Sequence, residues 1–447
     1  MQFLKKYGLA LTALAPALVS AQSSSSADLT PVFSTVRPSL TAIEAAAATV
    51  VPEESTSTVS GKVFDRFVVI WLENTDYDAA FGQADLAELA ESGVLLTNYF
   101  AVTHPSEPNY VAAVGGDYFG IDSDAFFQIP SNVSTVVDLL DSKGISWAEY
   151  QEDMPYAGFT GFNFSNQATF SSDYVRKHNP LIIYDSIASN ASRVDNIKNF
   201  TTFYDDLNNK QLPQWIFITP NMTNDGHDTT VDVAGSWARK FMQPLMNNTY
   251  FWDNTLVLLT FDENDTYPIQ NRVWALLLGG ALPKGLKNTT DATFYTHYSE
   301  ISTVEANWDL DNLGRGDASA NVFSFVANDT DVSIQSVDFS NMFFNQSAPG
   351  YFNDYEIPIP PPDVNAVNAN GKGVLPAISS VWANAYSAFT ASATAASSSA
   401  TMTASATEST AASSTSAAAA HTSSSAAEKL GPASGLLGLI VAAVALM

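Results

Sequence analysis

The sequence predicts an α/β protein: a central, mostly parallel sheet flanked by helices on both faces. Three observations carry that expectation. Between Gly61 and Asp363, short β-branched or aromatic runs alternate with longer mixed segments, as when strands are joined by crossover helices. Several runs are apolar on both faces, as central strands must be. Polar clusters stand directly after three of them, where open α/β sheets keep their ligands.

The predicted strands are Phe67–Leu72, Gly144–Ala148, Trp215–Thr219, Thr255–Phe261 and Val273–Leu278. Helical periodicity and capping residues place helices over Leu86–Ser92, over Val133–Lys143 with Asn132 or Ser131 as cap, over Asn199–Asn208 and over Ser236–Met246. A further helix follows Ser106, a natural N-cap, with Pro108 tolerated in the first turn. The Pro-rich run from Ile357 to Asp363 marks the expected end of the domain, so the body spans residues 61–363. No internal repeat is present.

Of the 447 residues, 46 are acidic and 19 basic, for a net charge of -27, and there is no cysteine. That balance repels phosphodiester backbones and excludes a disulfide-stapled scaffold, so no nucleic-acid partner is expected. The 27 Phe, 17 Tyr and 8 Trp supply a large core. Residues 1–21 read as a secretory signal peptide: Lys5 and Lys6, an apolar run to Val19, then small residues to Ala21. Residues 22–60 form a Ser/Thr/Ala-rich lead-in, and residues 364–427 a linker and a disordered Ser/Thr-rich tail suited to O-glycosylation. Residues 428–447 end in an apolar stretch too short to span a bilayer, which reads as a GPI-attachment signal with Ser424 as the attachment residue. The expected location is therefore outside the cell, on the outer face of the plasma membrane through a lipid anchor or transferred to a cell-wall polysaccharide. N-x-S/T triplets mark Asn132, Asn163, Asn190, Asn199, Asn221, Asn247, Asn264, Asn288, Asn328 and Asn345 for N-glycosylation.

Glu73-Asn74 follows the first strand, Asn221 to Asp228 follows the strand ending at Thr219, and Asp262-Glu263 follows the strand ending at Phe261. Glu73, Asn74, Asp262 and Glu263 offer hard oxygen ligands, which suit a divalent metal ion. The competing readings are that Asn74 caps a helix and that Asp262-Glu263 is a solvated turn. Ser106, at a helix N-terminus, sits where the helix dipole and free N–H groups favour an alkoxide and an anionic phosphate, and a nearby cation would lower its pKa further. Five histidines exist, and His421 lies in the stalk. His104, His178, His227 and His297 stand in polar turns, where they either serve as structural hydrogen-bonding residues or donate to phosphoryl oxygens and protonate a leaving alkoxide.

Taken in order, Glu73-Asn74, THPSEPNYVAAVGGDYFG (103–120), RKHNP (176–180), TPNMTNDGHD (219–228), TFDEND (260–265) and HYS (297–299) resemble the phosphoesterase family of secreted fungal acid phosphatases and bacterial phospholipases C. The resemblance implies an alkaline-phosphatase-like fold and metal-assisted hydrolysis of phosphate esters. It implies that Glu73, Asn74, Ser106, Asp262 and Glu263 surround the metal, with Ser106 as nucleophile. It further implies that His178, His227 and His297 hold the phosphoryl group or serve the leaving group, and that Asp228 orients one of them; His104 stands outside that set.

The expected activity is an extracellular acid phosphatase that hydrolyses small phosphate monoesters and scavenges phosphate, with histidines protonated at acid pH. The alternatives are a phospholipase C acting on phosphatidylcholine, which should carry an apolar rim, and a non-catalytic cell-wall glycoprotein. An RHG nucleophile segment, a GxSxG elbow and an HExxH helix are all absent.

Overall fold

The computed structural model describes residues 38–353 and 357–390. The signal peptide, the stalk, the anchor signal and Ser424 lie outside the described residues.

Ten strands form in chain order: β1 Arg66–Leu72, β2 Val94–Phe100, β3 Trp147–Gln151, β4 Asn163–Ser165, β5 Ser172–Val175, β6 Ile197–Asn199, β7 Trp215–Thr219, β8 Thr255–Phe261, β9 Arg272–Leu278 and β10 Thr289–Thr296. Eight of them make one sheet in the order β10-β2-β9-β8-β1-β7-β3-β6, and β4 and β5 make a separate hairpin. Only β9 runs antiparallel to its neighbours in the large sheet. The centre is apolar on both faces: β8 is buried at every residue and β1 at every residue after Arg66. Such runs remain dry only if helices cover both faces.

The helices that bear on the site are α1 Leu40–Ala47, α2 Tyr77–Gly82, α3 Ala84–Ala90, α4 Ser106–Gly115 and α5 Val136–Ser142, followed by Phe200–Asn209, Val231–Met246 and Tyr298–Trp308. Among the described residues no helix is long and apolar enough to cross a membrane.

Several boundaries differ from the sequence reading for identifiable reasons. The strand expected over Gly144–Ala148 runs over Trp147–Gln151, because Gly144 has a positive φ of 66° and belongs to the turn. The helix expected from Val133 starts at Val136. Thr135 caps it and Asp138 closes a capping box, so neither Asn132 nor Ser131 is the cap. The helix placed over Leu86–Ser92 runs from Ala84 to Ala90 with Gln83 as cap, and the one started at Ser236 begins at Val231. Asn199 caps its helix and is not its first residue. Strands β2 and β10 were not expected, since Thr97 and Asn98 interrupt one and exposed polar residues open the other.

The chain also does not leave the body at Asp363. Val374, Leu375, Ile378 and Trp382 are buried in the core, Asn312 bridges to Val374, and Asn368 donates to Glu305 Oε2 at 2.9 Å. The lead-in is tied down as well: Ile43 of α1 is buried, and the Val59 amide donates to Gln214 Oε1 at 2.8 Å.

Candidate active site

Every strand of the large sheet that runs parallel to β1 and carries a motif opens at the same edge. β1 delivers Glu73, β2 delivers the loop to Ser106, β7 delivers Asp225 to Asp228, β8 delivers Asp262 and Glu263, and β10 delivers His297. Site residues at carboxyl ends of strands are what an open α/β sheet provides.

Ser106 is the first residue of α4, and Pro105, joined to His104 by a cis peptide bond, holds the cap position. The expectation that Ser106 caps the helix is therefore corrected. Its hydroxyl turns into the site, donating to Glu73 Oε2 at 3.1 Å and sharing Glu263 Oε1 at 3.3 Å. The open N–H of Glu107 is met instead by Asp124 Oδ1 at 3.0 Å. Asn109 Oδ1 fixes the loop before the serine by accepting from the amides of Val102 and Thr103.

Glu73 is the hub. Besides Ser106, its Oε1 accepts from the Tyr110 hydroxyl and lies 3.2 Å from His178 Nε2. His178 Nδ1 faces Asp225 Oδ2 at 3.6 Å. Asp262 is fully buried, and neither of its oxygens has a hydrogen-bond partner of good geometry, although the Ser106 hydroxyl is near enough to lower its pKa. Burial, then repulsion from Glu73 and Glu263, raises Asp262 well above the usual carboxylate range. Burial first and Glu73 second do the same to Glu263 and to Asp225, and burial raises Glu73 itself. Four buried carboxylates with so little compensation are costly unless a cation joins them.

The residues fit a divalent cation in two adjacent places that share Glu73. One is the oxygen set of Glu73, Ser106, Asp262 and Glu263, with Asp262 offering unpartnered oxygens. The other is Glu73, His178 and His227, whose ligand atoms lie within 4.8 Å of one another. Asn74 makes no hydrogen bond to any of these groups; it lines a surface pocket of about 300 Å³ with Gly226, His227 and Asp265. Nor does it cap α2, where Asp76 stands at the cap and accepts from Thr266.

The histidines divide by position. His227 is at the mouth, its side chain 27% exposed, with Nδ1 on Asp228 Oδ1 at 2.9 Å and Nε2 on the Lys177 ammonium at 3.2 Å. His178 is buried, and burial holds its pKa well below the ordinary value. His104 is lowered to about 4 by burial. His104 is therefore neutral at mildly acid pH, against the expectation of protonated histidines. His297 lies behind the site: Nε2 contacts the Asp262 carbonyl at 2.6 Å, Nδ1 contacts the Tyr99 hydroxyl at 3.2 Å, and the ring packs tilted against Trp71 with centroids 4.2 Å apart. With both nitrogens engaged it presents nothing to a phosphoryl group, and that expectation is corrected; it braces the turn carrying Asp262. Asn264 is corrected too, since it is fully buried with its amide donating to Thr266 O at 2.9 Å, and cannot carry a glycan in the folded chain. Asn132, Asn190, Asn247, Asn288 and Asn328 are exposed.

Sequence reasoning passed over several members of the site. Lys177 adjoins His178 and Asp225 precedes His227, so both lay within motifs already singled out. Tyr110 and Tyr267 resembled core or surface aromatics, and Asn271, which ties Thr103 O to the Asn264 amide, carried no signal. Tyr267 stacks on His104 at 3.8 Å and is 45% exposed at the mouth.

The model of the Phosphoesterase family matches residues 85–311. A probable acid phosphatase of Kluyveromyces lactis is 56% identical over 380 residues, covering 85% of this chain and 90% of the relative. An acid phosphatase of Aspergillus fumigatus is 53% identical over 352 residues, covering 78% and 79%. A solved structure of an alkaline phosphatase superfamily protein from Vibrio parahaemolyticus is 14% identical at a TM-score of 0.36, covering 57% of this chain and 67% of that one.

Proposed function

This chain belongs to the Phosphoesterase family, and on that premise we propose that it is an acid phosphatase hydrolysing phosphate monoesters through Ser106. The fungal relatives support the phosphatase activity. The observation that carries the finer reading is the Ser106 hydroxyl, held between the Glu73 and Glu263 carboxylates at the N-terminus of α4.

A divalent cation held by Glu73, Ser106, Asp262 and Glu263 would supply charge neutralisation and a lowered serine pKa. The chain's own groups do the rest. The serine proton passes to the glutamate pair, Oγ forms a bond to phosphorus, and the bond to the leaving oxygen breaks. That oxygen takes a proton from the acid medium. Water then attacks the phosphoserine, giving orthophosphate and the free hydroxyl. His178 positions Glu73, His227 with Asp228 faces the incoming ester, and His297 positions Asp262. Secretion, a lipid anchor and phosphate scavenging complete the reading, supported by the sequence at both ends.

The test is hydrolysis of an aryl phosphate beside phosphatidylcholine, at about pH 5 and about pH 7, with and without chelator. Monoester turnover at acid pH that chelator removes is the expected result; turnover confined to the phospholipid would make the protein a phospholipase C. Ser106→Ala should lose about 10³-fold or more of kcat while unfolding at the wild-type temperature. Retained activity in that variant would take serine out of the reaction.

A further inference from the structure

The Glu73, His178 and His227 cluster has a neighbour that bears on what occupies it. Lys177 Nζ donates to Asp124 Oδ2 at 2.8 Å and to His227 Nε2 at 3.2 Å. With His227 Nε2 accepting from an ammonium, its Nδ1–H is the one donating to Asp228. A metal ion at this cluster would have to take the same Nε2 lone pair and stand against a positive charge. His178 Nε2 is turned to Glu73 Oε1, which also accepts from Tyr110. Of the ligand atoms a second metal would use, His227 Nε2 and Glu73 Oε1 are thus engaged, while His178 Nε2 makes no hydrogen bond.

An ammonium has three N–H donors, and Asp124 and His227 account for two. Lys177 is 15% exposed, which leaves a third donor for a ligand, and its charge lies within electrostatic range of Glu73 and Asp262 beside Ser106.

Resting on the monoesterase reading above, we infer that Lys177, braced by Asp124 and His227, is a substrate-binding residue that donates its third N–H to a non-bridging oxygen of the phosphoryl group held at Ser106. The Glu73, His178 and His227 cluster then holds a fixed ammonium where a second divalent ion would otherwise sit. The ligand is a phosphate monoester or orthophosphate, which offers at least three terminal oxygens to the site where a diester offers two.

The probes are inorganic phosphate, an aryl phosphate monoester and the corresponding diester, applied to wild type, Lys177→Met and Lys177→Arg. A charge-assisted hydrogen bond of ordinary strength predicts that Lys177→Met loses about 10- to 100-fold in monoester kcat/KM and weakens inhibition by inorganic phosphate by a similar factor. Diester hydrolysis should fall less, Lys177→Arg should recover part of the loss, and metal bound per chain should not change. Unchanged phosphate inhibition in Lys177→Met, or loss of bound metal in it, would overturn the inference. Should Lys177→Met fold poorly, Lys177→Gln and Lys177→Arg carry the same comparison. The thermal shift given by inorganic phosphate in a Ser106→Ala background needs no turnover: if it disappears on adding Lys177→Met, the lysine binds phosphate whatever becomes of the serine mechanism.

Discussion

Tyr267 shows how a single side chain can shape this site. Its ring lies against His104 with centroids 3.8 Å apart, it is nearly half exposed, and burial followed by the charge of Glu263 pushes its hydroxyl up to about 12, so it is a neutral phenol at working pH. An aromatic face at the mouth, with exposed Ile269 nearby in sequence, suits an apolar or aryl leaving group. Tyr267→Ala should raise KM for an aryl phosphate about 2- to 10-fold while leaving KM for a small alkyl phosphate near wild type, as a stacking contact of ordinary strength requires. Equal losses on both substrates would show that the ring serves His104 and not the substrate. At this scale the sequence was readable for position where acidic residues directly follow a predicted strand, as for Glu73, Asp262 and Glu263, and where a scarce residue type stands in a polar turn, as for His227. It was silent where ordinary residues acquire a role through contact, as with Tyr110 on Glu73 or Asp124 under Lys177. His297 was misread because a histidine in a polar tripeptide says nothing of which side of the sheet its ring will face.

Among the elements, α4 matters most, because it fixes the nucleophile and is buried along its whole length. It ends at Gly115 and Gly116. Gly116 takes φ 73° as the left-handed cap, and a Cβ on Gly115 would come 2.0 Å from the Tyr184 hydroxyl, which itself donates to Val111 O in the same helix. Gly115→Ala should therefore destabilise the protein by about 1–3 kcal/mol, the cost of overpacking a tight core, read from thermal or urea unfolding. It should also lower kcat to the extent that the helix relieves the clash by shifting Ser106 against Glu73 and Glu263. An unaltered unfolding midpoint would mean that Tyr184 swings away at no cost. Elements were legible from the sequence where period and cap agreed, as in β1, β7 and β8. Ends were less so, because Thr135 and Asp138 close a capping box that Ser131 and Asn132 only imitate. The edge-side strands β2 and β10 were missed because their polar residues mask the alternation.

For the molecule as a whole, acid tolerance follows from where its carboxyls are. Glu149, Glu305 and Asp317 lie away from the serine, and burial raises each of them; Leu181 N–H is one of the few donors that Glu149 has. A carboxyl whose folded pKa is raised binds more protons folded than unfolded, so its contribution is fully present below the unfolded pKa and is lost as pH rises through the folded one. Asp291 and Asp309 act oppositely, with folded pKa values lowered by Ser324 and Lys372 respectively, and their contribution is lost as pH falls through those values. Stability should thus rise as pH falls from neutral toward the ordinary carboxylate range and turn over only in stronger acid. Glu149→Gln should flatten part of that slope in a series of melting temperatures; a steady fall in stability from neutral to mildly acid pH would refute the assignment. The sheet and its crevice were legible at this scale, because apolar runs and polar strand ends are sequence properties. The packing of residues 364–382 back onto the core was not, because prolines announce a break in helix and not a departure from the surface.

The strand order carries a consequence for synthesis. Strand β2, with its apolar run Val94-Leu95-Leu96, is paired on one side with β9 and on the other with β10. Neither partner exists until residues 272–296 have been made. A nascent chain therefore carries an apolar strand with two open edges while residues 101–271 are made, and the last strand to arrive also brings His297 up behind Asp262. Chains stopped short of β10 should be insoluble and inactive together, with no catalytic fragment to be recovered from the first half.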